Sequence, residues 1–259
     1  MDLTDTFEKN TTTDAAERWR YPRFFTDNIG DTAVITGDDA KHIATVLRMK
    51  AGEPAVLCDG SRQDFLCRIS SASKDFVELE VLESRPNEAE PQTEICLYQC
   101  MPKSDKMEFI VQKATELGVS RIVPVLSKRC VSRPDEKTAA KKILRYQKIA
   151  EEAAKQCGRG RIPQIGEMVS FSQAVKAYSA DSLGILFYEC GGEPLKTLVT
   201  PDVKKIDIFI GSEGGFAPEE AEFALKSGIH AATLGNRILR CETAPVAALA
   251  ILMSLTNNM

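Results

Sequence analysis

The fold of this chain is decided by Ile206–Leu252, which has the sequence IDIFIGSEGGFAPEEAEFALKSGIHAATLGNRILRCETAPVAALAIL. It opens with a short β-branched and aromatic run, Ile206–Ile210, which predicts a buried strand. The next five residues form a loop in which three lack a Cβ, so its backbone can approach a ligand closely. Pro218 then fixes φ for the first turn of a helix that is predicted to end at Gly228.

A second glycine-containing loop, Leu234–Arg237, leads towards the last helix of the chain. Thr243 is the predicted N-cap of that helix, and Pro245 lies in its first turn. The helix is rich in alanine, so we expect it to pack closely against another element. Two glycine loops beside one cleft predict a small-molecule pocket built mostly from main chain.

The first loop, GSEGGF at Gly211–Phe216, has three possible roles on its residues alone. It can be a turn that needs only the φ range of glycine, an anion cradle, or a nucleoside pocket. The chain has no G-x-G-x-x-G after a strand and no G-x-x-x-x-G-K-[ST], which argues against a dinucleotide Rossmann site and a P-loop. His42 and His230 fall in separate predicted domains, so a histidine-centred metal site or triad is poorly supported.

The 259 residues are enough for two domains, and a hydrophobic content of 43% can bury a substantial core. The longest apolar run is about a dozen residues and contains Pro245, which is too short to span a membrane. Residues 1–20 lack the apolar segment of a signal peptide, which predicts a cytoplasmic protein. None of the eight cysteines is spaced C-x-x-C, so we expect buried, reduced thiols and no metal.

Charge is unevenly distributed along the chain. The net charge is −4, yet Lys128–Arg161 contains eleven Lys or Arg and four Asp or Glu, a local balance of +7. One explanation is a localised phosphate-binding face on an otherwise acidic protein. The other is a solvated helix face with ordinary salt bridges, and charge alone leaves both open.

The pattern of predicted elements divides the chain. Short predicted strands follow one another at close spacing up to about residue 82, which predicts a small β-barrel or open sheet. From Glu94 onward, strands alternate with helices, which indicates a parallel α/β sheet with ligands at the carboxyl ends of its strands. We therefore expect a flexible extension at residues 1–20, a β domain at 21–90 and an α/β domain at 91–259, with Arg85–Gln92 as the linker.

Three further local patterns predict helices. Asp38 or Asp39 can cap a short helix that runs through Leu47. Asp105 and Glu108 have the spacing of a capping box at the start of a helix. A long basic helix is predicted from about residue 136 to residue 157.

The two loop motifs together resemble the signature of a known family. G-x-E-G-G-F at Gly211, followed after about twenty residues by L-G-x-R-I-L-R-x-E-T-A at Leu234, resembles the SPOUT methyltransferases. More narrowly, it is similar to the bacterial family that methylates N3 of uridine 1498 in 16S rRNA. Phe109–Val119 and His42–Arg48 support the resemblance, which covers the chain from about Pro22 to its end.

The chain departs from the usual family pattern at two positions. Ser212 stands where the family usually has proline, and Cys241 stands where it usually has threonine. The resemblance implies an α/β SPOUT domain with a deep trefoil knot, preceded by a PUA-like RNA-binding β-barrel. It also implies a homodimer that pairs through the region of the last helix, and a substrate in the small ribosomal subunit.

The resemblance further implies a set of site residues. S-adenosylmethionine is the expected cofactor, held by the two glycine loops and by the end of the preceding strand. The expected cofactor-binding residues are Leu186, Gly211, Glu213, Gly214, Leu234, Gly235, Ile238, Leu239 and Thr243. The expected RNA-binding residues are Arg23, Arg48, Arg159 and Arg161, and, from the basic segment Lys128–Arg161, Lys141, Lys142 and Arg145.

Arg240 and Glu242 are the expected catalytic residues. Both lie where the second loop meets the last helix. As structural residues, they could form a salt bridge that steadies this junction. As functional residues, Arg240 would contact substrate phosphate or orient the base, and Glu242 would order the loop or assist proton removal.

Four functions remain open on the sequence. The first is methylation of uridine N3 in 16S rRNA, and the second is methylation of another rRNA or tRNA position by a SPOUT enzyme. The third is a non-catalytic RNA-binding module for ribosome assembly, which would be expected to have lost the cofactor loops. The fourth is an enzyme acting on small phosphates or nucleotides, which would need a cluster of metal-binding carboxylates that the sequence does not offer.

Overall fold

The structure of the protein, a computed structural model, describes residues 19–259. The described chain forms two units, one from residues up to 89 together with 158–161, and one from residues 90–157 together with 162–259. Residues 1–18 of the predicted extension lie outside the described residues. Trp19 is already buried against Val56, Cys58 and Leu66. The packed part of the first unit therefore begins before Tyr21, where the sequence predicted its start.

The first unit contains a five-stranded sheet in the order β1-β3-β4-β5-β2. Its strands β1 and β3 pair in parallel, and all its other pairs are antiparallel. A short helix, α1, lies between β2 and β3 and continues as one π-helical turn at His42–Leu47. The bounds are β1 Arg23–Phe25, β2 Thr32–Thr36, α1 Gly37–Lys41, β3 Pro54–Cys58, β4 Gln63–Ala72 and β5 Phe76–Pro86.

The strands of the first unit follow the alternation that their sequences predict. On β2, Ala33 and Ile35 are buried, and Val34 between them is 41% exposed. The predicted helix cap at Asp38 or Asp39 is wrong, because α1 begins at Gly37. The residue before α1 makes no side-chain cap bond, so this helix starts without the predicted signal.

The segment Gly158–Arg161 belongs to the first unit although it lies far along the chain. The side-chain amide of Asn87 donates hydrogen bonds to Asp64 Oδ1 at 2.8 Å and to the carbonyl oxygen of Gly158 at 3.0 Å. A Cβ added to Gly160 would lie 2.8 Å from Cβ of Asn87, so only glycine fits there without displacement. The late segment is therefore packed and hydrogen bonded as part of the first unit.

The second unit is built on a parallel sheet in the order β11-β13-β10-β12-β6-β7-β8, with β9 beside β7. Every pair of neighbouring strands in it is parallel. The sequence predicted this class from the alternation of strands and helices, and the prediction is confirmed. The strand bounds are β6 Glu94–Cys100, β7 Arg121–Leu126, β8 Gln164–Ile165, β9 Val169–Ser170, β10 Leu183–Phe187, β11 Glu193–Pro194, β12 Lys205–Ile210 and β13 His230–Thr233.

Six helices of the second unit are described. The capping box predicted at Asp105 and Glu108 is wrong, because the helix that follows Asp105 has no side-chain cap bond. The last helix has Glu242 as its N-cap, so the predicted cap at Thr243 is displaced by one residue. The bounds are α2 Lys106–Glu116, α3 Glu136–Cys157, α4 Phe171–Ala177, α5 Leu195–Leu198, α6 Pro218–Lys226 and α7 Thr243–Leu255.

The strand order places three loops side by side. Strand β10 lies between β12 and β13, and all three run in the same direction. The carboxyl ends of parallel strands share one edge of a sheet, where ligands of α/β folds usually bind. The loops that follow β10, β12 and β13 therefore meet at this edge. They include both glycine loops that the sequence singled out.

The hydrophobic core of the second unit includes one face of α7, which also packs against α2. Ala248, Leu249 and Leu252 are fully buried in the hydrophobic cluster that also contains the central strands. The rings of Tyr98 on β6 and Phe209 on β12 stack at 4.5 Å between centroids. Within residues 19–259, no helix is both long enough and apolar enough to cross a membrane.

Candidate functional site

A cavity of about 840 Å³ opens at the edge of the sheet where β10, β12 and β13 end. Its walls come from residues 187–191, 210–215 and 232–241, with Lys106 and Ala244 beside them. The volume falls within the range of small-molecule sites. The two loops predicted to face one cleft do so, and the loop after β10 completes the wall.

The first loop is closed on itself by its backbone. The amide of Gly215 donates to the carbonyl oxygen of Ser212 at 2.9 Å. Gly215 has a φ of +64°, and a Cβ added there would collide with the carboxylate of Glu189. A Cβ added to Gly211 would lie 3.0 Å from Cα of Gly215. These two positions need glycine because of the backbone conformation and the close approach of the chain to itself.

Gly235, in the second loop, needs glycine for a different reason. Its φ is +102°, a conformation that L side chains rarely adopt, and a Cβ added there would meet no protein atom within 4 Å. Gly235 lines the cavity, so the loop offers bare backbone to a ligand at this point.

Seven of the nine predicted cofactor residues line the cavity, and two do not. Leu186 is fully buried in the core, and the wall beyond it is formed by Phe187 and Tyr188. Thr243 is the first residue of α7 and does not line the cavity, although the next residue, Ala244, does. The seven are Gly211, Glu213, Gly214, Leu234, Gly235, Ile238 and Leu239.

A cluster of charges joins the two glycine loops at the cavity. The ammonium nitrogen of Lys106 lies 2.9 Å from Oε1 of Glu213 and 3.1 Å from Oε2 of Glu242. Glu213 also accepts the backbone N–H of Lys103 at 3.2 Å. The thiol of Cys241 donates to Oε2 of Glu242 at 3.2 Å. Lys106 is thus bound at once to the loop after β12 and to the segment that leads into α7.

The charges of this cluster stabilise one another. Burial raises the pKa of Glu213, but hydrogen bonds from Lys106 and from backbone amides outweigh it and lower that pKa to about 2. Burial likewise opposes the ionised form of Glu242, whose pKa is nevertheless lowered by the Cys241 thiol, its own backbone amide and Lys106. The hydrogen bonds to Glu213 and Glu242 raise the pKa of Lys106. All three side chains therefore carry their charges at neutral pH.

Sequence reasoning missed Lys106, which lies 107 residues before Glu213 along the chain. One signal in the sequence could have drawn attention to it. Lys106 is the first residue of α2, where the helix dipole disfavours a cation. A lysine at that position indicates a partner from another element.

Arg240 is not part of this cluster. The salt bridge considered between Arg240 and Glu242 does not form, because Glu242 pairs with Lys106. The side chain of Arg240 is exposed at the cavity wall and makes no ion pair with any residue of the described chain. Its carbonyl oxygen accepts the amides of Thr243 and Ala244 at 2.9 Å, which fixes its backbone at the start of α7. Arg240 therefore has a fixed backbone at the cavity wall and an exposed side chain.

Arg129 is a second residue that the sequence did not single out, and it forms a hydrogen bond to the backbone of the first loop. The guanidinium of Arg129 donates to the carbonyl oxygen of Gly214 at 2.9 Å. It also lies 3.9 Å from Oε1 of Glu189, in the loop after β10. Arg129 therefore links two of the three loops that form the wall.

The predicted RNA-binding residues of α3 differ in their surroundings. Lys141 is exposed, and Lys142 is half-buried. Arg145 is bound by Glu108, with its Nε 2.6 Å from Oε1 and its Nη2 2.7 Å from Oε2. Glu108 therefore neutralises the charge of Arg145 within the protein, which makes Arg145 less suited to bind a phosphate.

Two further arginines predicted to bind RNA, Arg23 and Arg159, are buried, which argues against a phosphate contact by either side chain. Arg23 has a side chain 6% exposed and pairs with Asp64, with Nη2 3.0 Å from Oδ2. Arg159 is 3% exposed, because its segment packs into the first unit instead of projecting beyond the end of α3. Arg48 and Arg161 are exposed, as an RNA contact requires.

The described residues, 19 to 259, include no group of three or more His, Cys, Asp or Glu placed to hold a metal ion. All eight cysteines are free. Five of them are buried as expected, whereas Cys190 is exposed and lines the cavity.

Two family models match this chain. One, described as an RNA methyltransferase domain, matches residues 88–253. The other, described as an RNA methyltransferase PUA domain, matches residues 35–82. Together they cover the sheet that carries the cavity and most of the small sheet before it.

Similar proteins carry consistent names. Ribosomal RNA small subunit methyltransferase E of Bacillus subtilis is 34% identical over 225 residues, which are 84% of this chain and 88% of that protein. The crystal structure of ribosomal RNA small subunit methyltransferase E from Neisseria gonorrhoeae, bound to S-adenosylmethionine, is 31% identical with a TM-score of 0.85. A methyltransferase of Legionella pneumophila, also solved with this cofactor, is 29% identical with a TM-score of 0.83. Both structural matches cover 91% of this chain and 98% of the other.

Proposed function

This chain belongs to the RNA methyltransferase family, and from that premise we propose that it methylates N3 of one uridine, position 1498, in 16S rRNA. The enzyme uses S-adenosylmethionine and acts on ribosomal RNA of the small subunit. One observation carries the proposal: a cavity with bare backbone at Gly235 also has on its wall an exposed arginine, Arg240, which forms no ion pair within residues 19–259. We also propose that the enzyme acts in the cytoplasm on an assembled or nearly assembled particle.

The cavity suits the cofactor. A flat adenine ring needs a slot with a few backbone donors and acceptors, and Gly235 leaves such a slot unfilled. Leu234, Ile238 and Leu239 add apolar surface around it. The volume of about 840 Å³ leaves room beside the cofactor for a base. We propose that these loops bind S-adenosylmethionine, with Gly211, Glu213 and Gly214 forming the facing wall.

The chemistry of methyl transfer to N3 defines what the chain must provide. S-adenosylmethionine, when bound, supplies a methyl group on a sulfonium that is already activated. The uracil must give up its N3 proton, because the nitrogen lone pair is otherwise tied into the ring imide. The protein therefore has to align the base and stabilise the negative charge that develops on it. We propose that Arg240 places its guanidinium beside the uracil carbonyl oxygens for this purpose.

The target base must leave its stack to reach the cavity. Enzymes that modify a base in structured RNA extrude it and offset the cost of unstacking through contacts around the site. We propose that the PUA-like unit and the basic face of α3 supply such contacts. Recognition of this kind depends more on RNA shape than on base sequence. A short naked RNA should then be a poor substrate.

The product test is direct. The purified protein is incubated with S-adenosylmethionine carrying a labelled methyl group and with small ribosomal subunits that lack the modification. The expected product is 3-methyluridine at one position, identified by nucleoside analysis and by mapping within the rRNA. Methyl transfer to ribose or to C5 of the base would contradict the proposed substrate atom and leave the fold assignment intact.

RNA binding by α3 can be tested through its salt dependence. We expect that changing Lys141 and Lys142 together to glutamine weakens binding to small subunits at low salt. The slope of log affinity against log salt should fall by roughly 0.7–0.9 for each phosphate that the variant no longer neutralises. Arg145 is left unchanged because Glu108 already binds it.

A matched control for this double variant is Lys226→Gln, since Lys226 is exposed on α6 and pairs only locally with Glu222. The control should leave the slope unchanged. An equal slope for the α3 variant and the wild type would make these lysines a solvated helix face.

We further propose that the protein is a homodimer that pairs through α7. Its alanines allow close approach of a second chain, and Ile251 remains 40% exposed on this helix. A two-fold interface would bring the same surface together from both copies. Ala248, one of these alanines, is fully buried within one chain. A charge at Ala248 would therefore destabilise the fold and report nothing specific about pairing.

Ile251→Glu is the better test. We expect it to convert a dimer into a monomer at micromolar concentration, because a carboxylate would be buried without a partner in the interface. Light scattering or sedimentation measures the mass. The control is Leu225→Glu, a similarly exposed apolar residue on α6. A wild-type protein that is monomeric at this concentration would contradict the proposed dimer.

A further inference from the structure

We propose that Lys106 is a positioning residue for methyl transfer, which joins the loop after β12 to the loop after β13 and so fixes Arg240 at the cavity. The inference rests on the methyl-transfer function proposed above. It concerns a residue that lies outside both glycine motifs, at the beginning of α2.

The contacts of Lys106 reach both halves of the site. Its ammonium nitrogen bonds Glu213 in the first loop at 2.9 Å and Glu242 at 3.1 Å, and it lies 3.7 Å from Sγ of Cys241. Arg240 comes directly before Cys241 in the chain. A single cation therefore ties the segment that carries Arg240 to the loop on the facing wall.

The position of Lys106 in its own helix favours this role. A cation in the first turn opposes the helix dipole, so the lysine does not stabilise α2 by being there. Its side chain is about one-third exposed, at 31%, and points away from α2 to the two carboxylates. The position of Lys106 is therefore explained by its ion pairs with Glu213 and Glu242 and not by any stabilisation of α2.

Without Lys106, the two carboxylates would face each other. Both Glu213 and Glu242 lie about 3 Å from the same nitrogen, so its removal leaves two like charges close together. Like charges at short distance raise the pKa of one of the pair, or drive the two groups apart. In either case the ionic link between the first loop and the segment that carries Arg240 is lost, so that segment is no longer held against the facing wall. The other group that faces Glu242 is the Cys241 thiol, which is neutral at the pH of the reaction and does not replace the missing cation.

The test compares Lys106→Met with Lys106→Arg in the full-length protein. The matched control is Lys113→Met, because Lys113 lies on the same helix, has 33% side-chain exposure and is ion-paired with Glu116. Thermal melting first establishes that each variant is folded. Methyl transfer to small subunits then gives kcat and KM for the RNA across a range of pH, and calorimetry gives the affinity for S-adenosylmethionine.

We expect kcat of Lys106→Met to fall by about a hundredfold, the size of effect that a displaced reacting group produces. The KM for the RNA should stay close to that of the wild type. The acid limb of the kcat profile should move to higher pH, because the pKa of the carboxylate pair rises when its cation is removed. Lys106→Arg should recover most of the rate, and the control should behave as wild type.

A second change isolates the carboxylate pair. Adding Glu213→Gln to Lys106→Met removes one of the two facing charges, so the acid limb should return towards its wild-type position. A variant with raised KM and unchanged kcat would show that Lys106 binds RNA directly, and would overturn the inference. An active wild type with an equally active Lys106→Met would overturn it too. A wild type that transfers no methyl group would instead refute the proposed function.

Discussion

Replacing Arg240 with alanine is expected to lower the rate of methyl transfer by roughly a hundredfold to a thousandfold, the effect of removing one donor to a developing anion. The affinity for S-adenosylmethionine should change little, because the guanidinium group is exposed at the cavity wall and the proposed cofactor contacts come from the loop backbone. The backbone conformation at residue 240 should be unchanged in this variant. The hydrogen bonds that fix it run from the amides at the start of α7 to the carbonyl oxygen of Arg240, which alanine also has.

Single-turnover methyl transfer and calorimetry with the cofactor measure the two quantities separately. Arg240→Lys should recover only part of the rate, since an ammonium cannot offer the planar pair of donors of a guanidinium. The control is Lys226→Ala, which removes an exposed cation from α6 outside the cavity. If Arg240→Ala reduced cofactor affinity and rate in equal measure, Arg240 would be a residue of the cofactor pocket and not a catalytic one.

Changing Gly235 to valine is expected to weaken S-adenosylmethionine binding by up to about a hundredfold, the upper end of the 1–3 kcal/mol typical of overfilling a packed site, at tenfold per 1.4 kcal/mol. No protein atom lies within 4 Å of a Cβ at this position, so the new side chain enters the cavity itself. A β-branched residue at a φ of +102° is also strained, and relief of that strain would move the loop. Both outcomes remove the slot for adenine.

Gly228→Val is the matched control for this variant. Gly228 has a φ of +88° and open space around its Cβ, but it lies after α6 and not at the cavity. The two variants should therefore lose similar stability in thermal melting, and only Gly235→Val should lose cofactor binding. Unchanged binding by a folded Gly235→Val variant would remove this loop from the proposed cofactor site.

The elements of the second unit follow closely from the sequence because their patterns are local. Glu136–Cys157 has the predicted bounds, since a long amphipathic repeat with a glycine after it specifies both ends. The strand at Lys205–Ile210 differs from its prediction by one residue. Helix starts were predicted less accurately, because neither Asp105 nor Thr243 forms the side-chain cap bond that the sequence pattern predicts.

The cavity itself was predictable to a similar extent. The glycine motifs specify backbone conformation, and seven of the nine predicted cofactor residues do line the wall. Lys106 and Arg129 were missed because each acts on a loop more than eighty residues away in the chain. The burial of Arg23 and Arg159 could not be predicted, because a sequence motif does not distinguish an exposed arginine from one that packs into a unit of the fold. The trefoil knot, implied only by resemblance, stays a prediction.

The two-part composition of the first unit has a consequence for the order of events during synthesis. A barrel made from one continuous segment can complete its fold soon after it leaves the ribosome. Here Asn87 finds one of its hydrogen-bond partners only at Gly158, and Gly158–Arg161 belongs to the same unit. Translation adds roughly 5–20 residues per second, so several seconds pass between the synthesis of the N-terminal sheet and the synthesis of this segment. The first unit can therefore begin to fold as soon as its sheet has been synthesised. It cannot complete its fold until α3 and the segment Gly158–Arg161 have also been synthesised.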